Sequence, residues 1–224
     1  NVSAMDATQM AALTETQLKG LTATQMKGLT ETDVGELSAT QVGQLSATQL
    51  SNLTSTAVSA LSDTQVGSLS TTQLKGLTAT QLKGLNETDI GELSETQIGV
   101  LSSTQLGALT ATALSAMDGT QMGALTSTQV KGLTTTQLAG LNETDVGELA
   151  STQLAALATT QLAAFSTTSI AALSTTQLSG LTSTQIGGLT ATNLSALDAT
   201  QMGSLSETQV KGLTATQLRS ISAT

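Results

Sequence analysis

The sequence predicts an all-α solenoid, a superhelix of very short capped helices with one helix per eight-residue unit. Three observations lead there. An octad recurs without insertion from Met5 to Ser220, in 27 copies. Each octad carries two helix-start signals in mutual register. Charge is sorted by position within the octad, with acids early and bases late.

The octads read LTETQLKG from Leu13, LTATQMKG from Leu21, and so on along the chain. Position 1 is Leu, replaced only by Met5, Met117, Phe165 and Ile221. Position 2 is Thr, Ser, Asn or Asp except at Ala150 and Ala158. Position 4 is Thr in every unit, from Thr8 to Thr224, and a contact between units is expected there. Position 5 is mostly Gln, position 6 is always Leu, Val, Ile or Met, and positions 7 and 8 are mostly small or polar with frequent Gly. Residues 1–4 fit the second half of an octad and 221–224 the first half. Residues 1–224 therefore read as one uninterrupted array, expected to be a segment of a longer chain.

Positions 2 to 5 form S/T-x-x-Q, as in Thr22 to Gln25, which is a capping box. The Thr oxygen accepts from a first-turn N–H, and the Gln reaches back to the cap residue. Positions 1 and 6 are then N′ and N4, both apolar, which is the hydrophobic staple. Gly at position 7 or 8 is expected to end the helix through a left-handed conformation. All seven basic residues stand at position 7, and thirteen of sixteen acids stand at positions 2, 3 or 5. That sorting suits the helix macrodipole.

Two other architectures fit the pattern less well. In one long helix, an eight-residue repeat drifts by about 80° per unit, so the apolar stripe would wind steeply round the rod. A β-solenoid is the alternative, because Thr-x-Thr is good strand material. There, positions 1 and 6 would fall on opposite faces. A lone octad has two apolar anchors, too few to offset the ordering of eight residues, so units must stack and share a core made by positions 1 and 6.

A longer period overlies the octad. LTETDVGE (29–36), LNETDIGE (85–92) and LNETDVGE (141–148) start 56 residues apart, and Ala57, Ala113 and Ser169 replace Gln at the same spacing. Asn1 fits that series, which Asn193 then breaks. Seven octads either complete whole superhelical turns or record duplication of a seven-octad block.

The acidic octads hold the only candidate metal ligands: Glu31, Asp33, Glu36, Glu87, Asp89, Glu92, Glu143, Asp145 and Glu148. Carboxylates are the donors Ca²⁺ prefers. The string lacks the order of an EF-hand loop, so first-turn acids serving the helix dipole are the favoured reading, and no metal or other cofactor is expected. A Thr face for binding ice is a further alternative, weakened because Ser, Asn or Asp often replaces Thr at position 2. Catalysis has no support: His, Cys and Tyr are absent, and no catalytic residue or small-molecule substrate is expected. A net charge of −9 with scattered bases disfavours nucleic acid. No apolar run is long enough to span a bilayer.

These LTxTQ(L/V/I)xx octads resemble the Thr/Gln-rich octapeptide arrays of long bacterial surface or secreted adhesin-like proteins. The resemblance covers the whole chain. It implies an extracellular or cell-surface filament, stalk or spacer. Exposed end units imply self-association end to end into fibres.

Overall fold

The computed structural model describes residues 2–221. Asn1 and Thr224, which the octad pattern places at positions 5 and 4, lie outside them. Two compact units are formed, Asn1–Ala116 and Met117–Thr224. Both are built the same way. After a short 3-10 turn at Val2–Ala4, helices α1 (Ala7–Ala11) to α27 (Ala215–Ile221) follow one per octad, so the helix number is the octad number. No strand occurs among the described residues, and the molecule is an α solenoid rather than a β-solenoid.

Each helix begins as the octad dictates. In α3 (Ala23–Lys27) the Thr22 hydroxyl accepts from the Gln25 N–H, and the Gln25 side chain accepts from the Thr22 N–H. The box persists where position 2 has no side-chain oxygen: Gln153 Oε1 accepts from the Ala150 N–H at 2.6 Å. Helix ends differ from expectation. No described glycine has a positive φ. Instead, the position-8 residue stays right-handed, as Gly20 does at φ −78° and ψ −8°. Position 1 is then extended, and its N–H turns back to the position-6 carbonyl, as in Leu21 to Leu18 at 3.1 Å. A single tightened turn closes the helix and needs no left-handed residue.

At some positions glycine serves close approach instead. A Cβ on Gly76 would fall 2.6 Å from the Ala47 Cβ, and one on Gly188 would fall 2.7 Å from the Thr159 Cβ. These partners are 29 residues away, one turn of the solenoid earlier. Helices three apart pack against one another throughout each unit, as α6 (Ala47–Ser51) does with α9 (Thr71–Gly76).

The core is a line of side chains from positions 1 and 6. Leu50, Leu74, Leu82 and Leu106 are fully buried from position 6, and Leu53, Leu77, Leu85 and Leu109 are buried from position 1. Coverage depends on the adjoining turns. Leu13 and Leu21 are half-buried at one end, while Val210 and Leu218 are 45% and 50% exposed at the other.

Joining of turns falls to position 5. Gln81 Oε1 accepts from the Thr78 N–H at 2.9 Å, within its own octad. Its Nε2 donates to the carbonyls of Leu50 and Leu53 at 2.8 and 2.9 Å, 31 and 28 residues earlier. Gln41, Gln49, Gln73 and Gln105 repeat this in the first unit, and Gln153, Gln177, Gln185, Gln209 and Gln217 in the second. A turn thus takes about 28 residues, three and a half octads, and the 56-residue period is two turns. The position-4 threonines, expected to join units, are exposed wherever described.

Two substitution pairs test this account. Gln81→Leu keeps the volume but strands a buried N–H and two carbonyls, so it is expected to lower stability by about 2–4 kcal/mol in urea unfolding. Gln17→Leu is expected to cost under about 1 kcal/mol, because Gln17 is exposed and makes only the cap. Equal losses would remove the bridge from the account. Gly35→Ala meets nothing within 4 Å and should stabilise by about 0.5–1 kcal/mol, whereas Gly76→Ala should destabilise through overpacking by about 1–3 kcal/mol.

Candidate functional site

The acidic octads are where the sequence concentrates unusual chemistry. Their aspartates occupy position 5, the third residue of the helix. Asp33 in α4 (Glu31–Gly35), Asp89 in α11 (Glu87–Gly91) and Asp145 in α18 (Glu143–Glu148) are all buried. Each turns Oδ2 onto the cap residue's N–H: Thr30 at 2.7 Å, Asn86 at 2.8 Å and Asn142 at 2.9 Å. These carboxylates are used as caps. Glu31, Glu87 and Glu143 open the same helices and are exposed. Glu36, Glu92 and Glu148 stand at the helix ends, Glu92 exposed and the other two half-buried. One octad's three acids therefore point to three different places. Among the described residues, no group of three or more His, Cys, Asp or Glu could hold a metal ion.

Two carboxyls carry raised pKa values. Burial raises Asp89 and is opposed in part by the Asn86 N–H, while the Asp63 carboxylate adds to the rise. Its Oδ1 is buried with no hydrogen-bond partner. Burial also raises Glu148, with the charges of Asp145 and Asp118 adding to it. Glu148 lies over Gly119, where a Cβ would come within 2.9 Å of its Oε1.

Substitutions at position 5 separate the two tasks of glutamine. Aspartate keeps the cap but has no N–H to donate across turns. Ser169 and Asn193 keep one bond across turns, to Leu141 O at 3.0 Å and Phe165 O at 3.3 Å. Ala57 and Ala113 make neither. The alanines and Ser169 sit in the helices packed directly on the acidic ones: α7 (Ser55–Ser59) on α4, α14 (Ala111–Ser115) on α11, and α21 (Thr167–Ala171) on α18. Each acidic octad thus lacks the full glutamine bridge on the side of its later neighbour. The long period thus sets these substitutions on helices that pack together.

Sequence reasoning saw glutamine only as a cap and missed its bond across turns. A signal was present. Glutamate would complete a capping box as well as glutamine, and would suit the first-turn dipole better. Yet no octad has Glu at position 5. Unlike a carboxylate, an amide supplies both an acceptor and a donor.

A family model described as ALTTAQ repeat matches residues 98–135 and 154–191. The two stretches begin one 56-residue period apart. The chain is a repeat array over both. No curated protein matches the chain.

Asp89 gives a pH-dependent prediction. Its folded carboxyl holds a proton to higher pH than the unfolded one. Its contribution to stability is therefore fully present below the unfolded titration range, and is lost as pH rises through the raised folded value. Asp89→Asn is expected to be more stable than the parent at neutral pH, by on the order of 1 kcal/mol. The difference should shrink as pH falls past that value. A pH-independent difference in thermal unfolding would contradict this.

Proposed function

We propose that this chain is a structural repeat protein, forming an extracellular filament, stalk or spacer and associating end to end. The observation that carries the reading is the glutamine bridge. Each turn presents the same carbonyls to the next and donates the same amides to the last. Nothing in that contact limits the number of turns.

The end octads show what a further turn would complete. Gln9, Gln17 and Gln25 cap their own helices, and their Nε2 groups face no earlier turn. At the other end, Val210 and Leu218 are exposed core positions. A further turn, from a continuing array or from another copy, would supply the missing partner at either end. The reading as a non-enzyme rests on the absence of His, Cys and Tyr and on the use of the buried carboxylates as caps. No helix among the described residues is long and apolar enough to cross a membrane.

Cryo-electron microscopy in near-native buffer, with antibody labelling of intact producing cells, tests both halves. Extended assemblies with an axial repeat of whole octads, and labelling without permeabilisation, are expected. Single unassociated chains would overturn end-to-end assembly. Labelling only after permeabilisation would overturn the extracellular placement.

A further inference from the structure

Within the first unit, position-1 carbonyls form a row that the glutamines of the next turn bridge. Leu53 O accepts from Gln81 Nε2 at 2.9 Å, and Leu69 O accepts from Gln97 Nε2 at 2.7 Å. Leu61 stands between them and is buried, and the residue 28 positions after it is Asp89. There the row has a gap. Leu61 O accepts no hydrogen bond among the described residues.

Asp89 has half of what a bridging glutamine has. Its Oδ2 accepts from the Asn86 N–H at 2.8 Å, as Gln81 Oε1 accepts from Thr78. Its Oδ1 occupies the other arm of the planar group, where glutamine carries its nitrogen, and is buried with no partner. The shorter side chain is no obstacle. Asn193 has the size and shape of aspartic acid, and its Nδ2 donates to Phe165 O, 28 residues earlier, at 3.3 Å. Ser169 Oγ reaches Leu141 O, also 28 residues earlier, at 3.0 Å. What Asp89 lacks is a proton on Oδ1.

The surroundings favour that proton. Helix α11 packs on α8 (Asp63–Gly67) and on α14. From α8 comes the Asp63 carboxylate, and α14 has no titratable residue. On its own octad Asp89 has Glu87 and Glu92, the second lying against Gly67 of α8. No base stands on these three helices, and Lys83, six residues before Asp89, is exposed. Burial and the Asp63 charge together raise the Asp89 pKa against the opposing Asn86 N–H.

We infer that Asp89 is a proton-operated joint between two turns of the first unit. As a carboxylate it has only acceptors to offer Leu61 O, and the bridge stays open. As a carboxylic acid its Oδ1–H donates to Leu61 O and closes the gap between the bridges of Gln81 and Gln97. The closed bridge is fully present below the unfolded titration range of aspartate. It is lost as pH rises through the raised folded value, so the array tightens at this point in acid. The joint works whether or not copies of the chain associate.

The test is ¹³C NMR of the full chain over a pH series, following the Asp89 carboxyl carbon and the Leu61 carbonyl carbon together. The carboxyl is expected to titrate above the ordinary aspartate range. The Leu61 carbonyl should shift in the direction of hydrogen-bond acceptance with the same midpoint, while the carbonyls of Leu53 and Leu69 hold still. Asp63→Asn should lower that midpoint. Asp89→Asn should hold the Leu61 carbonyl at its bridged position at every pH, and Asp89→Ala at its open one. A Leu61 carbonyl that ignores the Asp89 titration, or that moves equally in the Asp89→Ala chain, would overturn the inference. Titration of Asp89 in the ordinary range would overturn it too.

Discussion

Burying a primary carboxamide is costly unless its oxygen and its N–H groups all find partners. This chain buries one in most octads and satisfies it the same way each time. The oxygen closes the helix start within its own octad, and the nitrogen reaches carbonyls one turn earlier, as Gln73 does with Ser70 N–H, Val42 O and Leu45 O. Those carbonyls belong to a helix end and the linker after it, groups that a helix of five or six residues leaves unpaired. One side chain thus repairs the start of its own helix and the end of another. Helices this short become tenable because each borrows its missing partners from the adjacent turn.

The rest of the octad follows. A turn of three and a half octads encloses little volume, so aliphatic side chains fill it, and Phe165 is the one aromatic among them. Small residues at positions 7 and 8 allow helices to meet closely across turns, as Gly76 and Ala47 do. Position 3 faces that contact, and Ala, Ser and Thr recur there. Threonine at position 4 is exposed throughout the described residues. Its invariance has no account in the contacts of the fold.

What was legible in the sequence was local. The capping box, the staple and the sorting of charge act within eight residues, and Thr22, Gln25 and Met26 stand where they require. The all-α solenoid followed from them. What was illegible spans 28 residues or more. The path of Gln81 Nε2 to Leu53 cannot be read without the pitch of the superhelix, and pitch is set by packing. The glycines misled for a related reason. Gly at a helix end reads as a left-handed cap by local statistics, but at Gly76 the neighbouring turn decides. The acidic octads were legible as a period and illegible as a site. Only the fold shows that Asp33 and Asp89 turn inward to cap, and that the helices of Ala57 and Ala113 pack on theirs.

The claim that glutamine amides tie the turns together is tested most directly by hydrogen exchange of the side-chain NH₂ groups, resolved by ¹⁵N NMR of selectively labelled glutamine. The account predicts slow exchange for bridging glutamines such as Gln73, Gln81 and Gln105, whose Nε2 groups donate to buried carbonyls. It predicts fast exchange for Gln9, Gln17 and Gln25, which are exposed. Uniformly fast exchange, in a chain whose backbone amides remain protected, would contradict it.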